Sequence, residues 1–205
     1  SVFHMIYEYK DLIPKVLMNK EIVKVLIVCV ILHIANLVNT SFFSLYVTQR
    51  LGIADRYLAF FPILNAAVML IFMIGVQHRL ESVKFRIPMW IGLVLYAACS
   101  VLLILTPIGS SMPFIIVYVF VGAVAGGLVM PRKDALLQLN INPDERARIN
   151  ALIMSFTIAF ASPFGYLAGL LSSIDRRLPF VFTFTIYAIA IIIVGKICDP
   201  EFAEK

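Results

Sequence analysis

Charged side chains are few in this sequence: Asp, Glu, Lys and Arg together make up 14% of its 205 residues, against 61% hydrophobic residues. A soluble domain carries roughly 25% charge and 45–50% apolar residues, so a water-exposed globule is excluded. Cysteine is nearly absent. Cys29, Cys99 and Cys198 are odd in number and fall in three different apolar segments, which excludes a disulfide framework. Histidine is as sparse, with only His4, His33 and His78, far apart and with no H-E-x-x-H pairing, so neither a metal centre nor a zinc hydrolase is expected. No Ser or Cys has a base at helical spacing either. The reading is therefore of a non-enzyme without cofactor.

What is present is long uncharged sequence. Runs without Asp, Glu, Lys or Arg cover residues 25–49, 57–78, 87–131, 149–174 and 178–195, most of them past the ~20 residues that a helix needs to cross hydrocarbon. The third run is 45 residues long and is interrupted by "TPIGSSMP" (residues 106–113), where two prolines, a glycine and three hydroxyls carry turn chemistry, so it divides into two helices. Six spans follow, near 22–47, 58–78, 87–106, 113–139, 147–172 and 178–197. None of the runs alternates with period two, which excludes the strands of a membrane barrel. The fold class is an all-α membrane protein: a cytoplasmic arm over 1–20, a six-helix domain over 21–198 and a tail over 199–205. The chain opens "SVFHMIYEYK" with no initiator Met and no signal-peptide pattern, which places its start inside a longer polypeptide.

With six spans the termini share a side with the second and fourth loops, and that side holds 13 of the 17 basic residues; Arg50, Arg56, Arg176 and Arg177 are on the other. Excess Lys and Arg in short loops marks the cytoplasm, so both ends are read as cytoplasmic and the net charge of +5 as a topology signal rather than a nucleic-acid patch. Lys10, Lys15, Lys20 and Lys24 space an arm suited to anionic headgroups or to a plain linker.

The densest charge lies in "VMPRKDALLQLNINPDERARIN" (residues 129–150). Asn142 at an N-cap, Pro143 at the first helical position and Glu145 three residues after the cap read as the start of the fifth helix. "RLGIADRYLAFF" (residues 50–61) shows a similar pattern of acid, base and apolar run on the opposite side. Equivalent loops on opposite faces are the mark of two inverted three-helix repeats.

The segment "GAVAGGLVMPRKDALLQLNINPDERARINALIMSFTIAFASPFGYLAGLLSSIDRRLPF" (residues 122–180) resembles the tenth to twelfth helices of bacterial major facilitator superfamily transporters: a glycine-rich helix ending near a proline, a charged cytoplasmic loop, then a helix with Pro and Gly in its outer half. The resemblance implies that the chain is the C-terminal six-helix half of a twelve-helix carrier in the cytoplasmic membrane. Its partners would be membrane lipid, the N-terminal half and a small-molecule substrate. One loop departs from the family: "GVQHRLESVKFR" (residues 75–86) has Arg79 where the family's latch loop has Asp, and it lacks the second Gly.

Polar side chains in a membrane helix face a neighbour or a water-filled cavity. His33, Asn36, Asn39 and Thr40 lie at i, i+3, i+6 and i+7 of the first span and are expected to share one face. The resemblance places that helix along the central pathway, making them candidate substrate contacts, with Asn65 and Tyr118 as further candidates. Their competing role is hydrogen bonding between helices. Arg132, Lys133, Asp134, Glu145, Arg146 and Arg148 are expected to anchor the cytoplasmic edge or to form a gate there. No carboxylate lies in mid-span, so proton coupling would need an acid in the other half or would fall to His33. The third and sixth spans lack amides and ions, which reads as outer, lipid-facing helices. Small residues four apart at Gly122, Gly126 and Ala161, Gly165, Gly169 suit close helix contact, and Pro163 suits a kink. The functional reading is alternating-access movement of a small neutral or amphipathic solute, in the direction of efflux. A transport-inactive receptor or scaffold is the alternative, and it predicts that the polar residues of the first span are packed dry.

Overall fold

The computed structural model describes residues 20–80, 83–109, 111–139, 141 and 145–196, with Pro14 and Met18 ahead of them. Nearly all of the expected arm, the whole tail, and Ser110, Asn142 and Pro143 lie outside the described residues, as do the side chains of residues 77–80 in the departing loop. Six α-helices are present: α1 Lys20–Leu45, α2 Phe60–Leu80, α3 Arg86–Leu105, α4 Met112–Leu139, α5 Arg146–Ile174 and α6 Leu178–Gly195. Every end falls within two residues of the sequence expectation. Each helix contributes a span of 18 to 29 residues with a mean hydropathy of 1.6 to 2.3, long and apolar enough to cross a bilayer.

The breaks follow local chemistry. At the end of α3 the Thr106 hydroxyl donates to the Leu102 carbonyl (2.7 Å), and Gly109 adopts φ +95°, a conformation that disfavours a side chain, before α4 begins. Asp175, in extended conformation, ends α5 and accepts from the Arg177 amide (2.8 Å) just ahead of α6. The C-terminal end of α1 does not stop at Leu45: Tyr46–Arg50 continues as a π-turn, closed by the Leu51 amide donating to the Tyr46 carbonyl (3.2 Å). Glu145 precedes α5 without a side-chain cap. The cap expected at Asn142 falls outside the described residues.

Lipid tails are as apolar as leucine, so helix association here rests on close packing and on polar contacts between helices. The most extensive packing joins α3 to α4 and to α6, with α1 lying along α5 and α6 and α2 along α4. On α1 the buried residues Val25, Val28, Leu32, Ala35 and Val38 recur at three- and four-residue steps, making one covered stripe. Glycine permits the tightest approaches. A Cβ on Gly92 of α3 would sit 2.5 Å from a Val129 methyl of α4, and one on Gly127 would sit 2.5 Å from the Phe72 ring of α2. Gly126 likewise faces the Tyr96 hydroxyl, whereas Gly122 faces open space.

α3 and α6, expected as outer, lipid-facing helices, each cover one face against their neighbours and leave an apolar face with Ile87, Trp90, Ile91, Val181, Ile189 and Ile192 exposed. Their apolar windows are 44% and 39% covered, against 22% for α5 and 6% for α2. The reason lies in side chains that are unremarkable in isolation: the Ser100 and Thr183 hydroxyls meet at 3.2 Å between α3 and α6, and the Tyr96 and Tyr187 rings stack at 5.3 Å. Hydroxyls and phenols hold this pair together as amides would. The largely uncovered helix is α2, with Ile63, Leu70, Ile71 and Ile74 all exposed.

Candidate functional site

A cleft of about 400 Å³ opens between α1, α4 and α5, at the small end of the range for small-molecule pockets. Each helix offers it one face. Cys29, Leu32, His33 and Asn36 of α1 stand at i, i+3, i+4 and i+7, and Met130, Lys133, Asp134 and Leu137 of α4 repeat that spacing. From α5 come Asn150, Ile153, Met154, Thr157 and Ile158, again two turns of one face. The helical period thus turns three separate sequence segments into one wall set with polar groups among apolar ones. Lys133 and Asp134 form an ion pair at 2.9 Å; the aspartate side chain is 57% exposed and the lysine 21%.

Two of the six expected substrate contacts, His33 and Asn36, line this cleft. The others are elsewhere. A three-residue step leaves a helix about 60° short of a full turn, so Asn39, two such steps from His33, has rotated about 120° around α1. Its side-chain oxygen accepts from the Tyr118 hydroxyl at 3.4 Å, and Tyr118 in turn stacks on Phe43 at 5.2 Å, so both sit in the packing between α1 and α4. The Thr40 hydroxyl donates to its own helix, at the Asn36 carbonyl (2.8 Å). Asn65 is half-buried on α2, away from the cleft.

The six charged residues expected to act together at the helix ends are divided. Lys133 and Asp134 line the cleft. Arg132, the next residue back, is buried, with its guanidinium 5.6 Å from the centre of the Phe85 ring, a cation–π contact to the segment ahead of α3. Glu145, Arg146 and Arg148 flank the start of α5, with Arg148 exposed.

Asn150 and Thr157 are the cleft residues that sequence reasoning missed. Asn150 stands at the edge of the charged loop, and Thr157 resembles any other hydroxyl in a helix. Thr157 is only 7% exposed, and its hydroxyl oxygen has no hydrogen-bond partner among the described residues. That distinguishes it from Thr40, Thr48, Thr106, Ser155, Ser162 and Thr185, which donate to a carbonyl three or four residues back.

At the opposite end of the bundle a further polar group ties α1 to the α5–α6 turn. Arg50 pairs with Asp175 at 3.4 Å, and Arg176 donates to Gln49 at 2.9 Å and to the Ser172 hydroxyl at 2.9 Å. The buried Tyr46 hydroxyl donates to the Leu103 carbonyl at 2.6 Å. Arg50 and Arg176, both among the basic residues of this side, are thereby held in contacts between helices.

No grouping of His, Cys, Asp and Glu suited to a metal ion occurs among the described residues. Neither a protein-family model nor a curated protein sequence matches the chain. Fold and cleft together define its class: a multi-pass α-helical membrane protein.

Proposed function

We propose that this chain is the C-terminal half of a secondary active transporter that moves a small organic solute across the cytoplasmic membrane by alternating access. The observation that carries the reading is the cleft: a mainly apolar space at the meeting of three membrane-length helices that also presents polar residues, His33 and Asn36 on one wall and Asn150 and Thr157 on another. Intramembrane amides and imidazoles that face a cavity rather than a neighbour mark solute pathways. The packing supports the inverted repeat. Exchanging the first three helices for the last three turns the α1–α5 contact into α4–α2 and the α3–α4 contact into α6–α1, and each of these pairs is in contact. The resemblance of residues 122–180 to major facilitator carriers agrees with this arrangement. On this reading the N-terminal half lies against the open side of α2 and α5, and Lys133, Asp134, Glu145, Arg146 and Arg148 form the cytoplasmic gate while Arg132 anchors it.

The test has two parts. In a background with Cys29, Cys99 and Cys198 replaced by Ser, Asn36→Cys and Asn150→Cys react with a charged, membrane-impermeant thiol reagent applied from the cytoplasmic side, while Asn39→Cys resists it. In the full carrier, Asn36→Ala and His33→Ala lower solute flux by about tenfold, the scale of one lost polar contact, at unchanged membrane abundance. Unreactive cysteines at both cleft positions, or undiminished flux in both alanine variants, sinks the transport reading.

A further inference from the structure

We infer that the cleft between α1, α4 and α5 takes an amphipathic molecule bearing a single carboxylate, which Lys133 binds by exchanging it for Asp134. This rests on the cleft being a ligand site, as the proposed function also requires, and it adds the chemical class of the ligand.

The starting point is the set of donors and acceptors. The Lys133 ammonium has only donors to offer, and the Asn36 and Asn150 amides, the His33 ring and the Thr157 hydroxyl can each donate. Among the described residues of the wall the one carboxylate is Asp134. The amides, the ring and the hydroxyl can serve an anion or a cation alike, so the charged pair decides between them.

The two members of the ion pair are unequally placed, and that asymmetry decides the sign. Asp134 is the exposed member and Lys133 the covered one. An entering carboxylate releases Asp134 to a position already open to its surroundings, and Lys133 keeps an anionic partner throughout. An entering ammonium would have to take Asp134 and leave the more covered Lys133 charge without its partner, which is unfavourable. Among the described residues Lys133 is the one Lys or Arg of the wall, so one negative charge is matched and another is not. The rest of the wall, Leu32, Met130, Leu137, Ile153, Met154 and Ile158, is apolar and suits a hydrocarbon or aromatic body.

The Thr157 hydroxyl supplies an independent observation. Thr157 lines the cleft, and its hydroxyl oxygen, covered in this structure, forgoes the backbone bond that the comparable hydroxyls make. A buried hydroxyl without a partner is destabilising. Rotation about χ1 brings it to the cleft face, where a ligand oxygen can partner it.

The test uses the full carrier in lipid nanodiscs and three matched probes, 4-phenylbutyrate, 4-phenylbutanol and 4-phenylbutylamine, with binding measured by calorimetry against empty nanodiscs. The acid binds at least about tenfold more tightly than the amine, as expected for a charge-assisted contact. Lys133→Gln removes that preference and Lys133→Arg retains it. Asp134→Asn, which deletes the competing carboxylate, tightens acid binding by about threefold. Thr157→Val weakens it by about fivefold and Thr157→Ser restores it, each the scale of one hydrogen bond. Melting temperatures in the same nanodiscs show that the variants are folded. The opposite signs at positions 133 and 134 are decisive, because an ion pair that served only stability would respond alike to loss of either partner. Equal affinity for the three probes, or weakened binding in both Lys133→Gln and Asp134→Asn, overturns the inference. Acid binding with these signatures but no flux of 4-phenylbutyrate through the full carrier supports the site and overturns the transport reading instead.

Discussion

Asn36 and Asn39 are three residues apart on one helix and have different surroundings. Asn36 faces the cleft, whereas Asn39 accepts a hydrogen bond from Tyr118 in the packing between α1 and α4. The residue type alone does not separate them, because an amide serves as readily to join two helices as to meet a solute. Substitution does. Asn39→Ala and Tyr118→Phe each lower stability by about 0.6 kcal/mol, the average for a hydrogen bond between membrane helices. Their double variant costs no more than the larger single one, as reversible unfolding in mixed micelles will measure. Asn36→Ala leaves stability unchanged and shows its effect in flux. The same distinction explains why Thr157 escaped the sequence reading: nothing in "LIMSFTIAF" indicates that this hydroxyl, and not that of Ser155, leaves the helix backbone.

The helices themselves were legible because their signal is local. Gaps between charged residues and the turn chemistry of residues 106–113 depend on nothing beyond the neighbouring sequence, and all six spans came out of them. Which helix covers which did not. Coverage depends on partners distant in sequence, and α3, uncharged beyond Arg86, packs closely on α4 and α6 because Gly92 admits Val129 and Ser100 reaches Thr183. These contacts make contrasting predictions for three glycines. Gly92→Leu and Gly127→Leu must displace Val129 and Phe72, respectively, and lower stability by about 1–3 kcal/mol, as overpacking does. Gly122→Ala meets open space and leaves the melting temperature unchanged. A destabilisation by Gly122→Ala as large as that of Gly127→Leu would contradict the packing of α4 described above.

At the scale of the whole molecule, the two ends of the bundle are built differently. One end opens as the cleft; the other is knitted by Gln49, Arg50, Asp175 and Arg176. The Arg50–Asp175 pair is partly exposed, and a double-mutant cycle between Arg50→Ala and Asp175→Ala gives a coupling below about 1 kcal/mol. Its value lies in position more than in strength, and the π-turn of Tyr46–Arg50 sets that position. A π-turn accommodates one residue more than the α-helix around it. Winding the same residues as a plain α-helix would turn everything beyond them by about 100°. Tyr46 would keep its place over Leu103, while Gln49 and Arg50 would swing off Arg176 and Asp175. The wider winding thus acts as a phase setting, bringing the far end of α1 to the angle at which the α5–α6 turn can hold it.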